Sequence, residues 1–182
     1  MENMKKREIT TIEKKKSLSI SDLILVAVLL AAGAILKIFV GSVINFFGMK
    51  PNFIIAMYCL AILLIRPKIY EAAIIGLLAG AICQFLPGTP YINFISELLG
   101  AVTAAALIKV PMKVGKVNLG IIVTSFVSTV VSGATYTICL FIFIKASLSS
   151  LAAYVPIVLL TAVINCIIVQ LLYIPLKTAL KK

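Results

Sequence analysis

Six apolar runs, residues 23–40, 53–65, 72–86, 92–108, 119–144 and 151–174, take up most of this 182-residue chain and leave it few ways to fold. A bilayer hydrocarbon core of roughly 30 Å is crossed by about 20 helical residues, fewer where neighbours bury the helix ends. The runs therefore predict six membrane helices, with the second and third short. Hydrophobic residues are 62% of the chain and charged ones 13%, an apolar excess that a water-soluble domain of this size does not need. Between the second and third runs, Arg66-Pro67-Lys68 puts a proline and two cations where the apolar pattern stops, which predicts a tight turn between two helices. A single span through this point, giving five helices, is the second choice.

The cations set the orientation. Lys5, Lys6, Arg7, Lys14, Lys15 and Lys16 crowd the amino-terminal tail; alternate loops add Arg66 and Lys68, then Lys109, Lys113 and Lys116; the carboxyl tail adds Lys177, Lys181 and Lys182. Fourteen of the 17 Lys and Arg thus fall on one side. Opposite stand Lys50 and Lys145, and Lys37 lies within the first helix. Such asymmetry over short loops is the positive-inside signature, so both termini are expected in the cytoplasm. The expectation is an all-α membrane protein, a six-helix bundle over residues 22–177. A basic tail over residues 1–21, retained and partly disordered, precedes it, and a short basic tail over 178–182 follows. The net charge of +11 is accounted for by tails beside anionic lipid, each Lys or Arg gaining about 1 kcal/mol near the surface, and needs no nucleic acid.

Catalytic and metal chemistry find little to work with. The chain has no histidine, and Cys59, Cys83, Cys139 and Cys166 fall on four different predicted helices without paired spacing. That suits small apolar packing residues better than a zinc site. No Gly-x-x-x-x-Gly-Lys-Ser/Thr or Gly-x-Ser-x-Gly occurs, so neither a P-loop ATPase nor a serine hydrolase is expected, and no cofactor is implied.

What remains is polar side chains inside lipid, where burial is costly and function is the first hypothesis. Asn93, Ser96, Glu97, Gly100 and Ala104 share one face of the fourth helix by their spacing. A carboxylate buried there needs a cation or a proton. Lys50, Lys37 and the ammonium group of a ligand are the candidates. The fifth run carries Ser125, Ser128 or Thr129, Ser132, Thr135 or Tyr136, and Cys139 at helical spacing; close helix packing explains the small members and leaves Tyr136 as a candidate ligand contact. Gly76, Gly80 and Gln84 form a stripe on the third run, ending in an amide near the outer surface. Leu86-Pro87-Gly88-Thr89-Pro90-Tyr91 follows as a rigid turn fit to cover a pocket. Asn165 is an isolated deep amide on the sixth run that has to find partners. Ala27, Ala31 and Ala34 share a face of the first helix along which another helix can approach closely.

Lys50 lies in the turn Gly48-Met49-Lys50-Pro51-Asn52. That turn, with Leu86-Pro87-Gly88, Ile92-Asn93-Phe94-Ile95 and the Ala-x-x-x-Ala first helix, resembles the tryptophan-specific substrate-binding S-components of energy-coupling-factor transporters over about residues 22–177. In that family aspartate commonly follows the proline and an acidic-then-basic pair follows the Asn-x-Ile segment; here those places hold Asn52 and Ser96-Glu97. The resemblance implies a multi-pass protein of the bacterial plasma membrane that captures its substrate at the outer face. It also implies a transmembrane T-component that docks on Ala27 and Ala31, and toppling in the membrane driven by two cytoplasmic ATPases. For an aromatic amino acid, Lys50 is expected to bind the carboxylate and Glu97 the ammonium. Asn52 belongs to the same substrate loop, Asn93 and Gln84 add hydrogen bonds, Tyr91 or Tyr136 flanks the ring, and Asn165 is a further polar candidate. The alternatives are an S-component or stand-alone small permease for another small aromatic or vitamin-like substrate, and an assembly protein in which Glu97 and Lys50 pair with each other.

Overall fold

The computed structural model describes residues 17–43, 51–89, 91–110, 112–114 and 117–180. Lys50, Pro90 and most of the amino-terminal tail lie outside the described residues. Six helices follow one another: α1 (Ile20–Val43), α2 (Ile54–Ile65), α3 (Ile69–Gln84), α4 (Ile92–Leu107), α5 (Leu119–Ile144) and α6 (Leu148–Ala179). Between α4 and α5, β1 (Lys113–Val114) and β2 (Val117–Asn118) form a two-residue antiparallel ladder, Lys113 opposite Asn118. Among the described residues this small hairpin is the one addition to the all-helical expectation.

The break between α2 and α3 falls where Arg66-Pro67-Lys68 predicts it, so the five-helix alternative does not hold. Arg66 takes a left-handed conformation (φ 53°) and its N–H returns to the Ile62 carbonyl, closing α2. Pro67 cannot continue that helix. The Lys68 N–H donates to Glu71 Oε2 at 2.7 Å, so a first-turn carboxylate caps α3.

α1, α5 and α6 contain the three stretches among the described residues long and apolar enough to cross a membrane. They turn large apolar side chains outward, among them Ile24, Phe39, Phe143 and Leu171. α2 has 12 residues, and every one from Ile54 to Leu64 is buried, as fits a helix apolar on all sides. It packs against each of the other five helices and forms the centre of the core.

α3 and α4 make the most extensive helix pair, and glycine permits it. A Cβ at Gly76 would stand 2.6 Å from the Glu97 carbonyl oxygen and 2.9 Å from Leu98 Cα; at Gly80 it would lie 2.8 Å from Phe94 Cα. The stripe read from the sequence is thus a packing seam between backbones. Gly76→Val is expected to destabilise the bundle by about 1–3 kcal/mol through overpacking, seen as a lower unfolding midpoint. The same residue at Leu78, which is exposed on α3, is expected to leave it nearly unchanged. Equal midpoints for both variants would contradict the seam.

Candidate ligand-binding site

A cavity of about 340 Å³ opens where the start of α2, the α3–α4 loop, the beginning of α4, the later half of α5 and the early part of α6 converge. Its charged groups are Glu97 and Lys37, its amides Asn52 and Asn93, its hydroxyls Ser96, Thr129, Ser132 and Thr161. Tyr136, Tyr154, Ile55, Ile157 and Val158 give it an aromatic and aliphatic wall. The volume lies at the small end of ligand pockets, about 300–1,000 Å³.

Glu97 is completely buried. Asn52 Nδ2 donates to its Oε1, and Ser132 Oγ donates to its Oε2 at 3.2 Å, so the carboxylate joins the segment entering α2 to α5. A carboxylate has about four acceptor positions, and these bonds leave room for further donors. Among the described residues Glu97 makes no direct ion pair. The Tyr58 hydroxyl lies buried beside Glu97 and Ser132. Gly100, one turn beyond Glu97, is what lets this phenol approach, because a Cβ there would collide with the Tyr58 hydroxyl oxygen and stand 3.0 Å from Ser132 Cβ.

Asn52 is itself held at several atoms. Its Oδ1 accepts the Ile54 N–H at the start of α2, and its carbonyl oxygen accepts from Asn165 Nδ2 at 3.2 Å. Asn165 Nδ2 also donates to Thr129 Oγ1. The deep amide on α6 therefore stands behind the cavity wall and supports the residue that reaches Glu97.

The α3–α4 loop covers part of the cavity with Pro87, Gly88 and Thr89. The Tyr136 hydroxyl accepts the Thr89 N–H at 3.3 Å and donates to Thr89 Oγ1 at 3.1 Å, tying the loop to α5. Gln84 holds the far end of the loop: its Oε1 accepts the Tyr91 N–H at 2.9 Å, while its Nε2 donates to the Gly80 carbonyl of its own helix. Tyr91 has φ 66° and a ring 77% exposed.

Of the residues singled out in the sequence, the structure brings Asn52, Asn93, Glu97 and Tyr136 together around one cavity. Gln84, Tyr91 and Asn165 are not part of its lining; they hold the loop and wall in place. Lys50 lies outside the described residues. Ala27 and Ala31 are exposed on α1, beside the exposed Ile24 and Val28. Lys37, one of the cations that the sequence offers to Glu97, lines the cavity too, and Tyr154 is a cavity residue that the sequence does not single out. Tyr154, Ile157, Val158 and Thr161 recur at spacings of three and four, the signal that places them on one face of α6. The Tyr154 ring lies 6.1 Å from that of Tyr136, tilted by 50°.

Comparison with known proteins places this arrangement in context. The profile of the family described as "Tryptophan transporter TrpP" matches residues 19–181. A "Probable tryptophan transport protein" of Clostridium acetobutylicum is 28% identical over 169 residues, covering 90% of this chain and 96% of its own length. No solved structure matches.

Tyr136→Phe removes both bonds to Thr89 and keeps the ring. At about 0.5–1.5 kcal/mol per neutral hydrogen bond, the Thr89 amide is expected to exchange with solvent several-fold to tenfold faster, while the global unfolding midpoint shifts little. An unchanged exchange rate would show that the loop is held by other contacts.

Proposed function

The chain belongs to the tryptophan transporter (TrpP) family, and on that footing we propose that it captures L-tryptophan in the cavity around Glu97 for import across the bacterial plasma membrane. It does so as the substrate-binding S-component of an energy-coupling-factor transporter. The observation that carries this reading is the fully buried Glu97 carboxylate, bonded by Asn52 and Ser132 and paired directly with no cation among the described residues, on a cavity otherwise walled by aromatic and aliphatic groups. An ammonium group meets the carboxylate's unfilled acceptor positions with charge-assisted hydrogen bonds. An indole fits the remaining wall of Tyr136, Tyr154, Ile157 and Val158. Burying roughly 150–250 Å² of ring at about 25 cal/mol per Å² contributes about 4–6 kcal/mol before ordering costs.

Asn52 ahead of α2 and Asn93 on α4 supply polar contacts, Tyr136 flanks the ring, and Gln84, Tyr91 and Asn165 set the geometry of the loop and the wall. Lys50, in the turn before Pro51, is the cation that the sequence offers at the outer mouth. The opposite end of the bundle carries Arg66 and Lys109 around a second cavity of about 300 Å³, which agrees with the cytoplasmic face inferred from the charge asymmetry. The exposed Ala27 and Ala31 give α1 a smooth strip against which the T-component docks. Two cytoplasmic ATPases then supply the work.

A thermal-shift screen of the purified protein across amino acids and vitamins tests the substrate. L-Tryptophan at 100 times its dissociation constant is expected to stabilise the folded state by about 2.7 kcal/mol, with no comparable effect from vitamins; stabilisation by a vitamin alone overturns the assignment. Uptake tests the mechanism. Vesicles holding this chain alone are expected to accumulate no tryptophan, and vesicles that also hold a T-component and its ATPases to do so. Accumulation by the chain alone makes it a stand-alone permease.

A further inference from the structure

Lys37 lies in the last two turns of α1, on the inward face that also carries Val26, Leu30 and Gly33. It is only 7% exposed and lines the same cavity as Glu97. A lysine on a membrane helix ordinarily extends along the helix to bring its ammonium to the headgroups. Here the side chain does the opposite: Nζ donates to the thiol of Cys83 on α3 at 3.5 Å, and Cys83 is itself buried. A thiol is a weak acceptor and an ammonium has three protons to place. Among the described residues the charge is therefore held in a buried site with poor direct compensation, a costly arrangement unless an anion joins it.

Glu97 is the anion nearest to hand, yet it does not close on Lys37. Its hydrogen bonds run to Asn52 and Ser132, and no Lys37–Glu97 ion pair forms among the described residues. Two opposite charges thus face one cavity from α1 and α4, each secured by neutral partners. A ligand carrying an ammonium and a carboxylate on one carbon offers each of them an opposite charge. A ligand with only one of these groups leaves the other charge buried and unmatched.

We propose that Lys37 anchors the substrate carboxylate, so that with Glu97 it makes the cavity selective for a zwitterionic α-amino acid. This inference rests on the tryptophan reading of the cavity and assigns to Lys37 the task expected of Lys50 from its place in the chain. Cys83 holds the ammonium in place until the carboxylate arrives.

The chain contains no tryptophan, so the indole emission of a bound ligand can be followed without background from the protein. L-Tryptophan and tryptamine, which lacks the carboxylate, are titrated into the wild type, Lys37→Met and Lys37→Gln. The wild type is expected to prefer L-tryptophan by roughly 10- to 100-fold, the range of a hydrogen bond to a charged group. Both variants are expected to lose that preference while binding tryptamine as well as the wild type or better, since a repelling cation has gone. A preference that survives in either variant overturns the assignment and returns the carboxylate to another cation. Loss of both ligands together in both variants also overturns it, by making Lys37 structural. A wild type that binds neither ligand removes the tryptophan reading itself.

Discussion

A carboxylate with no accessible surface, in a bundle whose outer wall is apolar, sets terms that the rest of the structure meets. Taking Glu97 out of water is costly unless donors replace the lost hydration. The donors come from two other parts of the chain, Asn52 ahead of α2 and Ser132 on α5. Each requirement passes outward. Asn52 reaches Glu97 because Asn165 holds its carbonyl from α6, and Ser132 reaches it because Gly100 lets α4, α5 and the Tyr58 phenol come together. Residues from α4, α5, α6 and the entrance to α2 are thereby fixed around one group. A partly satisfied polar network of this kind is demanding to keep, and Glu97 and Asn52 line the cavity in which a ligand would sit.

The cavity is there because the helices differ in length. α5 and α6 have 26 and 32 residues, whereas α2 has 12 and is about 18 Å long at 1.5 Å per residue. A core helix that starts late leaves space above its first turn, and Asn52 and Ile55 line that space. The α3–α4 loop reaches over it and is fastened by Tyr136 to α5. The other end of α2, with Leu63 and Arg66, borders the second cavity. The short central helix therefore separates two spaces, one lined by Glu97 and Lys37 and the other by Arg66 and Lys109.

The helices were legible in the sequence because their signals are local. Apolar runs, the Arg66-Pro67-Lys68 break and the glycine stripe at Gly76 and Gly80 are contained within a few turns, and the observed helices follow them closely. Glu97 and its face of α4 were legible for the same reason. What the sequence hid depends on how helices rotate against one another. Gln84 and Asn165 were polar enough to attract notice, but which way an amide points is decided by neighbours far along the chain, at Tyr91, Asn52 and Thr129. Lys37 stands among the cations that the sequence offers to Glu97, but only the position of α3 reveals Cys83 as its direct partner and the cavity beside it. Tyr154 gave no signal alone, since its meaning lies in the facing Tyr136.

The central claim is that Glu97 receives the ammonium group of the substrate. The most direct measurement compares the dissociation constants of L-tryptophan and indole-3-propionate, which keeps the ring and the carboxylate but lacks the ammonium, for the wild type and Glu97→Gln. The account predicts that the wild type prefers L-tryptophan by roughly 10- to 100-fold and that Glu97→Gln abolishes the preference. A Glu97→Gln protein that still distinguishes the two ligands as the wild type does would contradict it.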